Sequence, residues 1–192
     1  METRTMRQTR AFDTQFSVRD AEGEHRIEGY FAVFGSDYQI GPGMSESVDS
    51  HAFDGELNQD VRCLVDHDTR LVLGRTTAGT LTLRTDEHGL WGSVLINTED
   101  QDAMNLYARV QRGDVNQCSF GFDILDEEFV NREDGSAHWI IKKVKLYEVS
   151  CVTFPAYEET SISARKADLA NARKRDTDAF KQRLKERLSK WH

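Results

Sequence analysis

The sequence predicts a mostly β fold with flanking helices, an α+β chain whose β-rich body runs to about residue 164 and is followed by a charged helix. Three observations carry this. Short segments rich in β-branched and aromatic residues recur between turns containing Gly, Asp and Ser. One internal stretch, residues 100–112, switches to helical periodicity. From residue 165 the composition changes to Ala, Lys, Arg, Asp and Leu.

The elements follow in chain order. Residues 24–34 carry Ile27, Tyr30, Phe31, Val33 and Phe34 and read as a strand. Residues 35–50 are rich in Gly, Ser and Asp and read as a loop around Gly41-Pro42-Gly43. Val61-Arg62-Cys63-Leu64-Val65 forms a short strand ending at Asp66-His67-Asp68. Residues 79–96 form a hairpin that turns through Asp86-Glu87-His88-Gly89. In the helix that follows, Ala103, Tyr107 and Val110 share a face, widened by Met104 and Leu106. Thr98 is the expected N-cap and Gly113 the stop. In residues 115–125, Cys118, Phe120, Phe122 and Ile124 alternate with Ser119, Gly121 and Asp123, giving a strand with one bulky and one small or polar face. A turn over residues 131–135 leads to a long strand or strand pair at 138–154, stopped by Pro155. In the tail, Leu169, Phe180, Leu184 and Leu188 form a thin apolar stripe on a helix over 163–191.

The chain has 192 residues, 38% hydrophobic and 30% charged, which suits one domain with a real core. No run of about 20 apolar residues is present to cross a bilayer, and no apolar stretch of signal-peptide type follows the start. The chain is therefore expected to stay in the compartment where it is made. Its three cysteines, Cys63, Cys118 and Cys151, sit in apolar segments and read as buried free thiols. The net charge of -8 is unevenly placed. Residues 1–164 hold 15 Lys/Arg against 29 Asp/Glu, and residues 165–192 hold 10 against 4. The acidic body argues against nucleic-acid binding, while the basic tail suits an acidic partner or its own body, or is simply a solvated helix.

Most catalytic patterns are absent. There is no dinucleotide fingerprint, no phosphate loop, no Cys-x-x-Cys pair, and no Gly-x-Ser-x-Gly elbow. The six histidines are scattered, so neither a metal nor a cofactor is expected. What remains is a dispersed polar set at strand ends: His67 between two aspartates, Ser119 beside Gly121, and Glu148 near the end of a hydrophobic strand. An imidazole can exchange protons near neutral pH, a serine hydroxyl needs such a base to attack a carbonyl, and a carboxylate can orient the imidazole. Taken singly, each residue is better explained by an ordinary loop, strand or surface position. Composition and period alone reach no further than a soluble β-rich domain.

Four stretches carry a resemblance. They are Ile27-Glu28-Gly29-Tyr30-Phe31-Ala32-Val33-Phe34; Leu64-Val65-Asp66-His67-Asp68 with Leu73-Gly74-Arg75-Thr76; Ser119-Phe120-Gly121-Phe122; and Leu146-Tyr147-Glu148-Val149-Ser150-Cys151-Val152-Thr153-Phe154-Pro155-Ala156-Tyr157. In this order and spacing, over roughly residues 10–165, the chain resembles the prohead maturation proteases of tailed bacteriophages of the HK97 capsid class. The resemblance implies a compact β-barrel like that of the herpesvirus assembly proteases, with residues 1–164 as the serine protease domain and 165–192 as a basic helical tail. It implies Ser119 as nucleophile, His67 as general base and Glu148 as third member, with Asp66 and Asp68 as competitors for that last place. Arg75 is a candidate helper.

The resemblance also implies a setting. The substrates would be scaffold, or the N-terminal scaffold segment of the major capsid protein, and the enzyme itself. Cleavage would occur inside the immature capsid in the bacterial host cytoplasm, without a membrane or a specific nucleic acid. The tail would serve docking or be removed by self-cleavage. The oligomeric state stays open between a monomer and a homo-oligomer. The rival expectations are a non-catalytic capsid or scaffold protein that keeps the protease fold, and a β-rich nucleic-acid-binding protein.

Overall fold

The computed structural model describes residues 8–12, 16–21 and 23–154, with isolated positions 174, 177, 178, 181–183 and 186, which are helical. The chain divides into Met1–Tyr157 and Glu158–His192. The tail helix expected over 163–191 otherwise lies outside the described residues.

In the first unit the strands are β1 (Gln8–Phe12), β2 (Ser17–Ala21), β3 (Glu24–Val33), β4 (Tyr38–Gly41), β5 (Met44–Val48), β6 (Arg62–Val65), β7 (Asp68–Arg75), β8 (Leu81–Thr85), β9 (Gly89–Leu95), β10 (Gln117–Asn131) and β11 (Ala137–Val152), and the helix α1 spans Gln101–Arg112. They form two sheets. The larger has the order β1-β10-β11-β5-β4, with β6 on β11 and β7 on β6; the smaller has the order β2-β3-β9-β8.

β11 organises the larger sheet. One edge takes β10 in an antiparallel ladder. The other edge is shared by two parallel strands, β5 against Ala137–Ile141 and β6 against Glu148–Cys151. This arrangement corrects the expected barrel. β1 and β4 end the larger sheet without pairing to each other, and the four-stranded sheet stands apart. Closing a sheet requires every edge to be paired with a consistent stagger. Here one edge of β11 is divided between two short strands, so no single ladder runs around the body. A parallel bridge, Phe34 to Val48, joins the residue after β3 to β5.

The alternation in residues 118–124 explains how β10 packs. Cys118, Phe120, Phe122 and Ile124 all lie in the core cluster, with Val149 and Cys151 from β11 and Ile27, Phe31, Leu90 and Val94 from the smaller sheet. Phe120 stacks on Phe122 with centroids 4.5 Å apart, and Phe53 meets Phe120 edge-on at 5.4 Å. Ser119 and Gly121 are left on the other face of the strand. On the β3–β9 ladder, Gly89 permits a close approach: a Cβ there would lie 2.0 Å from the Ala32 carbonyl oxygen.

Helix α1 buries Ala103, Leu106, Tyr107 and Val110 and ends at Gly113 in the left-handed conformation, as its pattern requires. Its N-cap is Asp100 rather than Thr98. The Asp100 carboxylate accepts from the backbone N–H groups of Asp102 and Ala103, a contact typically worth about 1 kcal/mol. Thr98 lies too early to reach those donors. Tyr107 donates to Asp20 Oδ1 at 2.5 Å, tying α1 to β2. Burial and that carboxylate push the phenol up to about 12.

Residues 35–50, expected as a loop, contain the hairpin β4–β5. Its strand residues Met44-Ser45-Glu46-Ser47-Val48 are all buried although three are polar, because each polar side chain finds a partner. Glu46 pairs with Arg10 of β1, both nearly inaccessible to solvent. Ser45 and Ser47 flank the ring of His138, with Oγ atoms 2.8 Å from Nδ1 and 2.9 Å from Nε2. Burial, and then Arg132, depress the His138 pKa; Asp37 and Glu46 oppose them.

This last cluster sets a pH dependence. His138 binds its proton less readily folded than unfolded. Its contribution to stability is complete above the ordinary histidine range near 6.5 and is lost as the pH falls below it. Denaturant unfolding should therefore show stability falling between about pH 7.5 and about pH 5.5. His138→Gln should remove part of that slope; an unchanged slope would mean that other groups produce it.

Candidate active site

The site is built on the end of β11 and the turn beside it. β6 and β7 are joined by Asp66-His67, whose φ angles are +47° and +60°. Two consecutive positive φ values form the tight hairpin turn that matches strand twist, with Val65 opposite Asp68. Neither residue is glycine, so the turn carries a conformational cost of about 1–2 kcal/mol for each. Asp66 supports it from outside. Its carboxylate accepts from the Thr153 backbone N–H at 2.7 Å and from Thr153 Oγ1 at 3.1 Å, and its own N–H donates to the Cys151 carbonyl at 2.9 Å. The turn is thereby fastened to the strand that carries Glu148.

The fastening determines where the imidazole lies. His67 Nδ1 is 2.7 Å from Glu148 Oε1, across 81 residues of sequence. Glu148 is 1% exposed and the His67 side chain 20%. With Nδ1–H directed to the carboxylate, the proton-accepting lone pair of a neutral ring is at Nε2. That atom is buried and has no hydrogen-bond partner among the described residues.

Ser119 comes from β10. It is paired with Ser150 of β11, and Gly121 is paired with Glu148. Directly opposed residues share a face, so Ser119, Gly121, Glu148 and Ser150 form one small-and-polar square on the side of the sheet away from the phenylalanine core. Ser119 is fully buried, and its hydroxyl donates to the Arg10 carbonyl of β1 at 2.8 Å. The structure thus joins His67 to Glu148 directly, and brings Ser119 to the same patch with its hydroxyl turned toward β1 rather than toward the ring.

The other sequence candidates are engaged elsewhere. Asp66 holds Thr153, and Asp68 accepts from Arg70, which lowers the Asp68 carboxyl to about 2. Arg75 forms a paired contact with Asp60 at 2.6 and 2.7 Å, holding that carboxyl well below the usual range. The three cysteines are buried and free. The neighbouring Cys63 thiol and burial hold the Cys151 thiol well above its ordinary value, so it stays protonated. No group of three or more His, Cys, Asp or Glu residues suited to a metal ion occurs among the described residues.

Residues 13–175 match the family model of the caudovirus prohead serine protease. The chain belongs to that family. It is a serine endopeptidase of prohead maturation. A relative, the prohead protease of Enterobacteria phage HK97, is 28% identical over 162 residues, covering 83% of this chain and 68% of the relative. A similar solved structure is the bacteriophage T4 capsid assembly protease, at 12% identity and a TM-score of 0.46, covering 77% of this chain and 99% of that one. No described helix of this protease is long and apolar enough to cross a membrane.

Two parts of the site carried no functional reading in the sequence. One is Asp66 as the anchor of the turn, for which an Asp-His pair closing two short strands is the available signal. The other is Ser150, two residues beyond Glu148 and therefore on its face of the strand. The anchor can be tested. Asp66→Asn keeps a residue that tolerates the left-handed conformation and an oxygen for Thr153, so proteolytic activity should stay within about threefold of the parent. Asp66→Ala loses both and should lower activity about tenfold or more. Equal rates for the two variants would show that the anchor does not place His67.

Proposed function

We propose that Ser119 is the nucleophile of this protease, His67 its general base and Glu148 the carboxylate that orients the base. The observation that carries this is the His67–Glu148 hydrogen bond, which leaves Nε2 as the proton acceptor on the face where β10 supplies Ser119. In the reaction the Ser119 hydroxyl leaves the Arg10 carbonyl and turns to Nε2. Its oxygen attacks the substrate carbonyl as its proton passes to the ring. The tetrahedral intermediate collapses to an acyl-enzyme, and the departing amine takes the proton from Nε2. Water, deprotonated by the same nitrogen, then releases the acid. Glu148 remains a carboxylate throughout and stabilises the transient imidazolium.

Within prohead maturation, the substrates in this reading are scaffold or the N-terminal scaffold segment of the major capsid protein, and the protease itself. The reaction takes place inside the immature shell. The segment 165–192, basic against an acidic body, is a docking extension lost on self-cleavage.

Co-expression with the phage's major capsid protein tests the assignment. The parent chain should shorten the capsid protein, and Ser119→Ala should leave it intact while folding normally. Glu148→Gln should slow cleavage about a hundredfold or more. Continued shortening by Ser119→Ala would overturn the nucleophile. Parental rates for Glu148→Gln would overturn the orienting carboxylate.

A further inference from the structure

Ser150 contributes a hydroxyl that the reaction above does not use. It is fully buried, lies opposite Ser119 in the β10–β11 ladder, and lies beside Leu64 of β6, three residues before His67. Its Oγ donates to Glu148 Oε2 at 2.5 Å and sits 3.4 Å from His67 Nδ1. The two oxygens of the Glu148 carboxylate are therefore divided: Oε1 takes the imidazole proton and Oε2 takes the serine proton.

We infer that Ser150 is a positioning residue for catalysis, whose hydroxyl locks the Glu148 carboxylate in the rotamer that holds His67. This rests on the assignment of Ser119, His67 and Glu148 given above. The physical argument is one of rotation. A carboxylate held at one oxygen can pivot about its terminal bond, which has a broad torsional preference. A second short hydrogen bond from the same strand removes that freedom. It also satisfies an oxygen that burial has taken from water. Serine has the required length: from the next same-face position on the strand, a single Cβ–Oγ bond reaches the carboxylate. Outer-shell groups that orient the ligands of a metal site typically affect activity by about 10- to 100-fold, and by analogy an effect of about tenfold is expected for a group that orients a buried carboxylate.

Ser150 is not itself placed as a nucleophile. The ring nitrogen it approaches is the one committed to Glu148, and its own proton is already directed to Oε2.

The test is the labelling rate of the full chain with a fluorophosphonate, which reports activation of the nucleophilic serine. Ser150→Thr and Ser150→Val have nearly the same shape and differ by the hydroxyl, so any packing strain is shared between them. The threonine variant should label about tenfold faster than the valine variant, and melting curves of the two should show both folded. In a Glu148→Ala background the same pair should differ by less than about twofold, since the hydroxyl then has no carboxylate to hold. Equal rates for the pair in the parent background would overturn the proposal. So would a tenfold difference that persists without Glu148. Mapping the label separates this from failure of the underlying assignment: the adduct should lie on Ser119, and an adduct on Ser150 would overturn both.

Discussion

A carboxylate buried in the middle of a hydrogen-bonded sheet needs donors, because removing it from water costs several kcal/mol unless hydrogen bonds replace the solvent. Glu148 meets that condition with a histidine from one side and a serine from the other. Much of the local architecture is arranged around these contacts. β11 carries both Glu148 and Ser150 on one face. β6 runs parallel to that part of β11 and delivers the turn bearing His67. β10 lies antiparallel on the other edge, with Gly121 opposite Glu148 and Ser119 opposite Ser150. The same strands turn Cys118, Phe120, Val149 and Cys151 inward to the core. Packing of that core thus fixes the register of the polar face.

The turn at Asp66-His67 shows how the fold absorbs a local backbone cost. Two non-glycine residues at positive φ are unfavourable, yet the hairpin is held because the Asp66 carboxylate accepts from Thr153 and the Asp66 N–H donates to the Cys151 carbonyl. Its reward is direction. The imidazole has Nδ1 on the Glu148 carboxylate, and its Nε2 has no hydrogen-bond partner among the described residues. The Ser119 hydroxyl, by contrast, donates to the Arg10 carbonyl. Arg10 is in turn held by its buried contact with Glu46 of β5.

Much of this fold was legible in the sequence where period and turn chemistry agree. The 79–96 hairpin, the alternating strand at 118–124, the long strand before Pro155 and the helix ending at Gly113 all have strong local signals. The open arrangement, where a barrel was expected, was not legible, because closure depends on which edges meet, and no local pattern records that β5 and β6 share one side of β11. The β4–β5 hairpin was hidden for a different reason. Its buried Ser45, Glu46 and Ser47 look like loop residues until His138 and Arg10 arrive from distant strands to satisfy them. Likewise Asp66, Asp68 and Glu148 are candidate carboxylates that the linear sequence does not tell apart. Their separate partners, Thr153, Arg70 and His67, exist only in the folded chain. The candidate residues were nameable through family resemblance; the hydroxyl behind Glu148 comes into view only in the folded chain.

The central claim is that a proton can pass from one buried hydroxyl to the free nitrogen of an imidazole anchored 81 residues from its carboxylate. The most direct measurement is a crystal structure of the protease after reaction with a fluorophosphonate. The phosphonyl group should be bonded to Ser119 Oγ, released from the Arg10 carbonyl, with His67 Nε2 about 3 Å from that oxygen and Nδ1 still on Glu148. An adduct on another side chain, or an imidazole directed away from position 119, would contradict it.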